Sequence, residues 1–445
     1  MNAVNPRWLT CALAIGALLS IGCASTPPPP QAAADPAVEA ANAKRSDETV
    51  QAVLAELEAR DVAAVHARFN ARMKRGFSES QLRSAWTVLV EGLGAPEGST
   101  VIHREQQQGY DVRVAVMSFE RGAVQLTLST NPETQELAGF YMKPIPKPED
   151  GAARESEDFR SEALPVGSDP FVLDGILTLP KAEGPFPAVV LIHGSGPQDR
   201  DSTVGPNKPL RDIAEGLAAK GVATLRYHKR TFQHGAKLSA DIGIDDEVIV
   251  DAVAAVRLLA SRPEVDSKRI FVVGHSLGAL LAPEIAVRAG GVAGTVLLAP
   301  PGQAPWDSVL MQLRYLETPE EELAKVEASV ANLEAGGLGP EASILGAPAA
   351  YWKDWASRDG VAMAKKLAKP MLILRGDRDY QVTEVDIATW TKAFAEDPRV
   401  TIRSVPGANH LFIPGEGKPG PAEYFREGKV DQRVIEAIAD FVGAD

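Results

Sequence analysis

Apolar positions change their spacing twice along this chain. Near the front, Val50, Val53, Leu54 and Leu57 fall at i, i+3, i+4 and i+7, which predicts one buried helix face and a helix starting near Ser46. A second helical stretch covers Glu79 to Leu93. The period then drops to two in Tyr110–Phe119, Ala123–Thr130 and Leu137–Met142, which read as an antiparallel meander. Helices followed by a curved sheet make a small α+β domain over residues 43–143. Residues 144–158, rich in Pro, Lys and Glu, read as a linker.

From about Phe159 the alternation gives way to short, unbroken apolar runs. Phe186–Ile192, Val222–Tyr227, Arg269–Val273, Gly294–Leu298, Pro370–Gly376 and Val400–Val405 have strand length, and a helix over Asp245–Leu259 crosses between two of them. Buried strands alternating with helices predict an α/β domain with a mostly parallel sheet over residues 159–445. Within it, residues 301–369 turn mainly helical, an insertion expected to roof the site as a lid. Thr318-Pro319-Glu320-Glu321 predicts an N-cap, a first-turn proline and a capping-box glutamate there. No upstream repeat of the length a β-propeller blade needs is present in the sequence.

The run Val272-Val273-Gly274-His275-Ser276-Leu277-Gly278-Ala279 carries the sharpest chemistry. A strand enters a Gly-x-Ser-x-Gly turn that opens onto a helix, a turn that lifts the serine hydroxyl above the sheet edge as a nucleophile. The bare pattern is common, so its context decides. Beyond Ser276 the chain holds one histidine, His410, in the Gly/Asn loop Pro406-Gly407-Ala408-Asn409-His410. An acid is expected between them, after the strand Pro370–Gly376. Asp377 and Asp379 compete for that role, Asp377 placed to cap the turn and Asp379 one step further along, facing the histidine loop. An oxyanion needs two backbone N–H groups. Leu277, after the nucleophile, offers one, and Ser195 in His193-Gly194-Ser195-Gly196-Pro197 offers the other.

Charge and cysteine content narrow the setting. The 445 residues suffice for two or three compact units, and 45% apolar content excludes wholesale disorder. A net charge of −13 argues against nucleic acid or an anionic membrane surface as partner. Arg7 and the apolar stretch Trp8 to Gly22 read as a signal peptide over residues 1–22, too short for an ordinary membrane span. Leu18-Leu19-Ser20-Ile21-Gly22-Cys23 resembles a bacterial lipobox, with Ser20 where leucine is usual. Cys11 leaves with the leader, so Cys23 is expected to be a lipid acceptor rather than half of an internal disulfide. Residues 23–42, with Pro27 to Pro30, have the composition of a flexible tether. An exported protein held on the cell envelope by that lipid follows. Asp199 and Asp201 lack further ligands at metal spacing, so neither a metal nor a cofactor is expected, and His66 and His103 are expected to be structural or exposed.

Residues from about 160 onward resemble the α/β-hydrolase superfamily, and more narrowly the bacterial carboxylesterases of the EstD type with a small N-terminal domain of unknown function. The blocks that carry the resemblance are His193-Gly194-Ser195-Gly196-Pro197-Gln198-Asp199-Arg200-Asp201 with Gly205-Pro206-Asn207-Lys208-Pro209, Leu225-Arg226-Tyr227-His228-Lys229-Arg230-Thr231, and Leu281-Ala282-Pro283. Relatives often carry aspartate at position 228 and an acidic residue at position 277, so substrate preference does not transfer. The family pattern, as much as geometry, selects Asp379 over Asp377. The resemblance implies hydrolysis of small to medium acyl esters through an acyl-enzyme, with Ser276, Asp379 and His410 catalytic. Thioesterase and aminopeptidase activity use the same machinery, and a non-catalytic envelope binding protein is the reading from another class.

Overall fold

The computed structural model describes residues 36–107, 109–145, 154–235, 238, 242–339, 342–344 and 347–444. The stretch expected to be a signal peptide, Cys23 as the expected lipid acceptor and most of the expected linker lie outside them.

The front domain is a meander of four antiparallel strands in spatial order: β1 (Pro96–Gln107), β2 (Tyr110–Phe119), β3 (Gly122–Thr130) and β4 (Leu137–Ile145). Helices Pro36–Glu58 and Glu79–Leu93 supply Val50, Val53, Leu54, Leu57, Leu82, Trp86 and Leu89 to a core shared with Met117, Leu126, Leu128 and Phe140. The first helix begins ten residues before Ser46, so residues 36–42, expected in the tether, are helical. Ser46 is no cap. Its hydroxyl donates to the buried carboxylate of Asp111 on β2 at 2.7 Å, which binds helix to sheet from mid-helix. The second helix matches expectation and starts with a capping box between Ser78 and Gln81.

The second domain is built on an eight-stranded sheet. Its strands are β5 (Phe159–Ala163), β6 (Gly175–Pro180), β7 (Phe186–Ile192), β8 (Ala223–Tyr227), β9 (Val265–His275), β10 (Val292–Leu298), β13 (Met371–Gly376) and β14 (Val400–Val405), in spatial order β14-β13-β10-β9-β7-β8-β6-β5. The small pair β11 (Ser343–Ile344) and β12 (Ala347–Pro348) lies in the insertion. The six strands from β14 to β8 pair in parallel, and β6 and β5 pair antiparallel at one edge.

Side chains alternate across the pleat, so a strand buried on both faces must be apolar throughout. On β7, Ala188, Val190 and Ile192 meet Val256 and Leu259 of the helix Val250–Ala260 and Leu281 and Ile285 of the helix Leu277–Ala289. Val189 and Leu191 face the other way, towards Leu210 and Leu217 of Pro209–Ala218 and Val434 and Ile438 of Gln432–Gly443. This two-sided burial produces the unbroken apolar runs of the sequence.

The insertion contains helices Pro305–Tyr315, Glu320–Glu334, Ala349–Ala356 and Gly360–Leu367. Thr318 does not cap the second of them. Its N–H closes the preceding helix on Leu313 O at 3.1 Å, and Pro319, in extended conformation, is the N-cap without a side-chain bond. The two domains meet at Phe425, fully buried among the front domain's core residues although it follows the histidine loop in sequence. Gln81 of the front domain also donates to Glu322 of the insertion.

Candidate active site

Strand β9 ends at His275 and the helix Leu277–Ala289 begins one residue beyond Ser276. Ser276 carries the whole reversal at φ 55° and ψ −118°, a region that costs a non-glycine residue on the order of 1–3 kcal/mol. The turn persists because its surroundings allow no other path. Ser276 N–H donates to Leu298 O on β10 at 2.8 Å. A Cβ at Gly274 would sit 2.1 Å from Gly278 O, and one at Gly278 would sit 2.4 Å from His193 O. Both flanking positions therefore require glycine. Ser276 is half-buried, with its hydroxyl at the C-terminal edge of the sheet.

The loop after β7 lies against this turn: a Cβ built on Gly194 would come within 3.3 Å of Ser276 Cβ. Gln198 Nε2 donates to Ser195 O at 2.8 Å and Lys229 Nζ to Gly194 O at 2.8 Å, pinning the loop. Leu277 is the first helical residue after Ser276, and the first N–H groups of a helix have no partner within it. Leu277 and the loop at Gly194, which precedes Ser195, thus adjoin the serine from two different chain segments.

After β13 the two aspartates separate in role. Asp377 Oδ1 accepts from Gly407 N–H at 2.7 Å and braces the loop ahead of His410. Asp379 is buried, and its Oδ2 lies 2.7 Å from His410 Nδ1. Its other oxygen accepts from the backbone N–H groups of Gln381 at 2.8 Å and Val382 at 3.0 Å. A carboxylate held this way accepts a hydrogen bond from Nδ1–H and so leaves Nε2 as the acceptor. His410 is brought to the elbow through His275: His275 Nε2 lies 2.8 Å from His410 O, and the two rings pack with centroids 4.7 Å apart. Ser276 Oγ itself makes no hydrogen bond to the His410 ring, a contact that in serine hydrolases often tightens only around substrate.

Burial, followed by the charge of nearby His410, lowers the His275 pKa to about 3. His275 is therefore a neutral donor, a bracing role that the motif alone did not disclose. His193 is held at about 3 by burial and by nearby Lys229 and His228. Asp199 and Asp201 hold no shared ligand position. Asp201 pairs with buried Arg226 at 2.7 Å, and Asp199 accepts from Thr203 N–H and Oγ1 at 2.8 and 2.6 Å. Among the described residues no cluster of metal-ligating side chains occurs. His66 Nε2 contacts Phe77 O at 3.1 Å inside the front domain, and His103 is more than half exposed on β1.

The model of the alpha/beta hydrolase family matches residues 189–420, just over half of the chain. Esterase EstD of Thermotoga maritima is 39% identical over 381 residues, covering 83% of this chain and 88% of its own. The chain belongs to the alpha/beta hydrolase family. Solved structures similar to this hydrolase include an esterase of Pyrococcus furiosus, 16% identical with TM-score 0.43, covering 67% of this chain and 94% of its own. Est1E of Butyrivibrio proteoclasticus is 19% identical with TM-score 0.42, covering 63% and 96%.

Proposed function

We propose that this hydrolase is a serine carboxylesterase acting on small to medium acyl esters. The observation that carries the reading is the 2.7 Å pair of Asp379 and His410 beside a serine in strained elbow geometry. Identity to Esterase EstD across both domains supports it. His410 Nε2 takes the Ser276 proton as Oγ bonds to the ester carbonyl carbon, and Asp379 stabilises the imidazolium. The carbonyl electron pair moves onto oxygen, where the Ser195 and Leu277 amides hold it. Collapse expels the alcohol with the proton from His410. Water, deprotonated by the same nitrogen, attacks the acyl carbon; the bond to Ser276 Oγ breaks, His410 returns the proton to Oγ, and the carboxylic acid leaves.

Fluorophosphonate labelling and turnover on ester, thioester and peptide-amide panels test this directly. The native enzyme is expected to label at Ser276 and to turn over esters fastest. Ser276→Ala is expected to abolish labelling and cut ester turnover on the order of 10⁴-fold or more. Wild-type turnover by that variant, or a clear preference for amides, overturns the reading. Export and lipidation at Cys23 belong to the same proposal and rest on the sequence of the leader. Radiolabelled fatty acid incorporated by the native chain and lost in Cys23→Ser tests them.

A further inference from the structure

A peptide unit is planar and trans, so its C=O and N–H point in opposite directions. The N–H of Ser195 belongs to the same unit as the carbonyl of Gly194, and whatever holds that carbonyl aims that amide. Lys229 holds it. Its ammonium donates to Gly194 O at 2.8 Å from a side chain only 2% exposed. The Lys229 backbone N–H donates to Gln198 O at 3.1 Å, fixing the far end of the same loop.

The ammonium is itself held by Glu247, whose second carboxylate oxygen accepts from the Tyr351 hydroxyl at 2.6 Å. Glu247 sits in the π-helical turn Asp245–Ile249, a break in helix register of the kind that gathers at functional sites. Tyr351 lies on Ala349–Ala356 of the insertion. Four chain segments, far apart in sequence, therefore meet in one buried polar line ending on the peptide that bears Ser195. Burying an ion pair adds little to stability compared with apolar residues of similar volume, so packing alone gives no reason for it. A charge-assisted bond to a carbonyl does have a consequence. It polarises the peptide and strengthens its N–H as a donor.

We propose that Lys229 is a positioning residue for oxyanion binding and that Glu247 and Tyr351 hold it, coupling the helical insertion to transition-state stabilisation. This rests on the reading of Ser195 as an oxyanion donor in an esterase.

The test compares Lys229→Met, Glu247→Gln and Tyr351→Phe with the native enzyme. The readouts are kcat and KM on a short acyl ester, affinity for a trifluoromethyl ketone whose adduct carries the oxyanion, and thermal melting. Deleting a direct oxyanion donor costs about 10²–10³ in kcat, so a misaimed one is expected to cost about 10–10²-fold. Lys229→Met is expected to lose that factor in kcat and in ketone affinity together, with KM within about twofold. Tyr351→Phe removes one hydroxyl, leaves a buried oxygen of Glu247 unpaired, and is expected to show the same paired loss at roughly 3–10-fold in a protein that still folds but melts somewhat lower. Should Lys229→Met fail to fold, Tyr351→Phe and Glu247→Gln carry the decision. Unchanged kcat, or a loss of kcat without loss of ketone affinity, overturns the inference. Ser276→Ala run in parallel separates the two levels. An inactive serine variant beside fully active Lys229 and Tyr351 variants sinks only this inference, whereas an active serine variant sinks the esterase reading itself.

Discussion

The imidazole of His275 donates from Nε2 to the carbonyl of His410 across 2.8 Å, so the residue before the elbow serine holds the loop that brings the second histidine. Removing the donor leaves a buried carbonyl without its partner, at a cost of about 1–3 kcal/mol. His275→Ala is expected to lower melting temperature and to reduce kcat roughly tenfold by loosening His410, a loss comparable to the same energy at the transition state. Stopped-flow turnover with parallel calorimetry checks both. An unchanged kcat would show that the loop keeps its place unaided.

The same burial makes stability sensitive to acid. His193 and His275 have folded pKa values of about 3, below the 6.5 of an exposed histidine. The unfolded chain then binds more protons as pH falls below about 6.5, and stability drops from there down to about 3, by up to ~1.4 kcal/mol per pH unit for each ring. Above pH 7 these two groups contribute no slope. Chemical denaturation at stepped pH reads the effect. His193→Gln is expected to flatten the acid slope, and an equally steep slope in that variant would assign it to other groups.

Asp377 and Asp379 give a paired test two residues apart. Asp379→Asn keeps the shape and loses the charge and tautomer control facing His410, and is expected to lower kcat about 10⁴-fold. Asp377→Asn retains an acceptor for Gly407 N–H and is expected to stay within about threefold of native turnover, since exposed hydrogen bonds contribute little. Steady-state kinetics on both variants decides, and a reversed order of effects would reassign the acid.

At Gly278 the expected effect comes from space rather than charge. A methyl group there would sit 2.4 Å from His193 O and 2.7 Å from Ile192 O, both backbone atoms. Gly278→Ala must therefore move the Ser195 loop or the helix start. An expected loss of about 10²-fold in kcat corresponds to loss of one oxyanion donor. Native activity in a folded variant would mean that the loop shifts without consequence.

These positions also show what a single chain of letters discloses. Most of the buried strands were legible because both faces of the sheet are covered, which leaves no polar phase in runs such as Phe186–Ile192; β6 (Gly175–Pro180), equally buried but short and broken by Thr178, was not. Strand β1 was not legible. As an edge strand it exposes Ile102, His103, Arg104 and Glu105 in succession, and no apolar alternation survives. The order of Ser276, an aspartate and His410 could be read from the motif and its context. Lys229 stood in a recognisable block, yet its role could not be read there, because its partners at 194, 247 and 351 are adjacent only after folding.

The buried ring at 425 yields a further prediction. Phe425→Ala is expected to cost about 3–5 kcal/mol, the usual penalty for emptying a large aromatic site. Urea titration measures it, and a cost under about 1 kcal/mol would mean the contact is incidental.

That ring also limits how the protein can be dissected. Excising the front module would strip the cover from an aromatic plug and leave a sticky scar beside Tyr424, whose ring stacks with that of Tyr380, the neighbour of Asp379. A loss of activity after such surgery would then report a wounded surface as readily as a missing contribution. Shuffling front modules among relatives would, for the same reason, have to carry residues 421–425 along as part of the transplant.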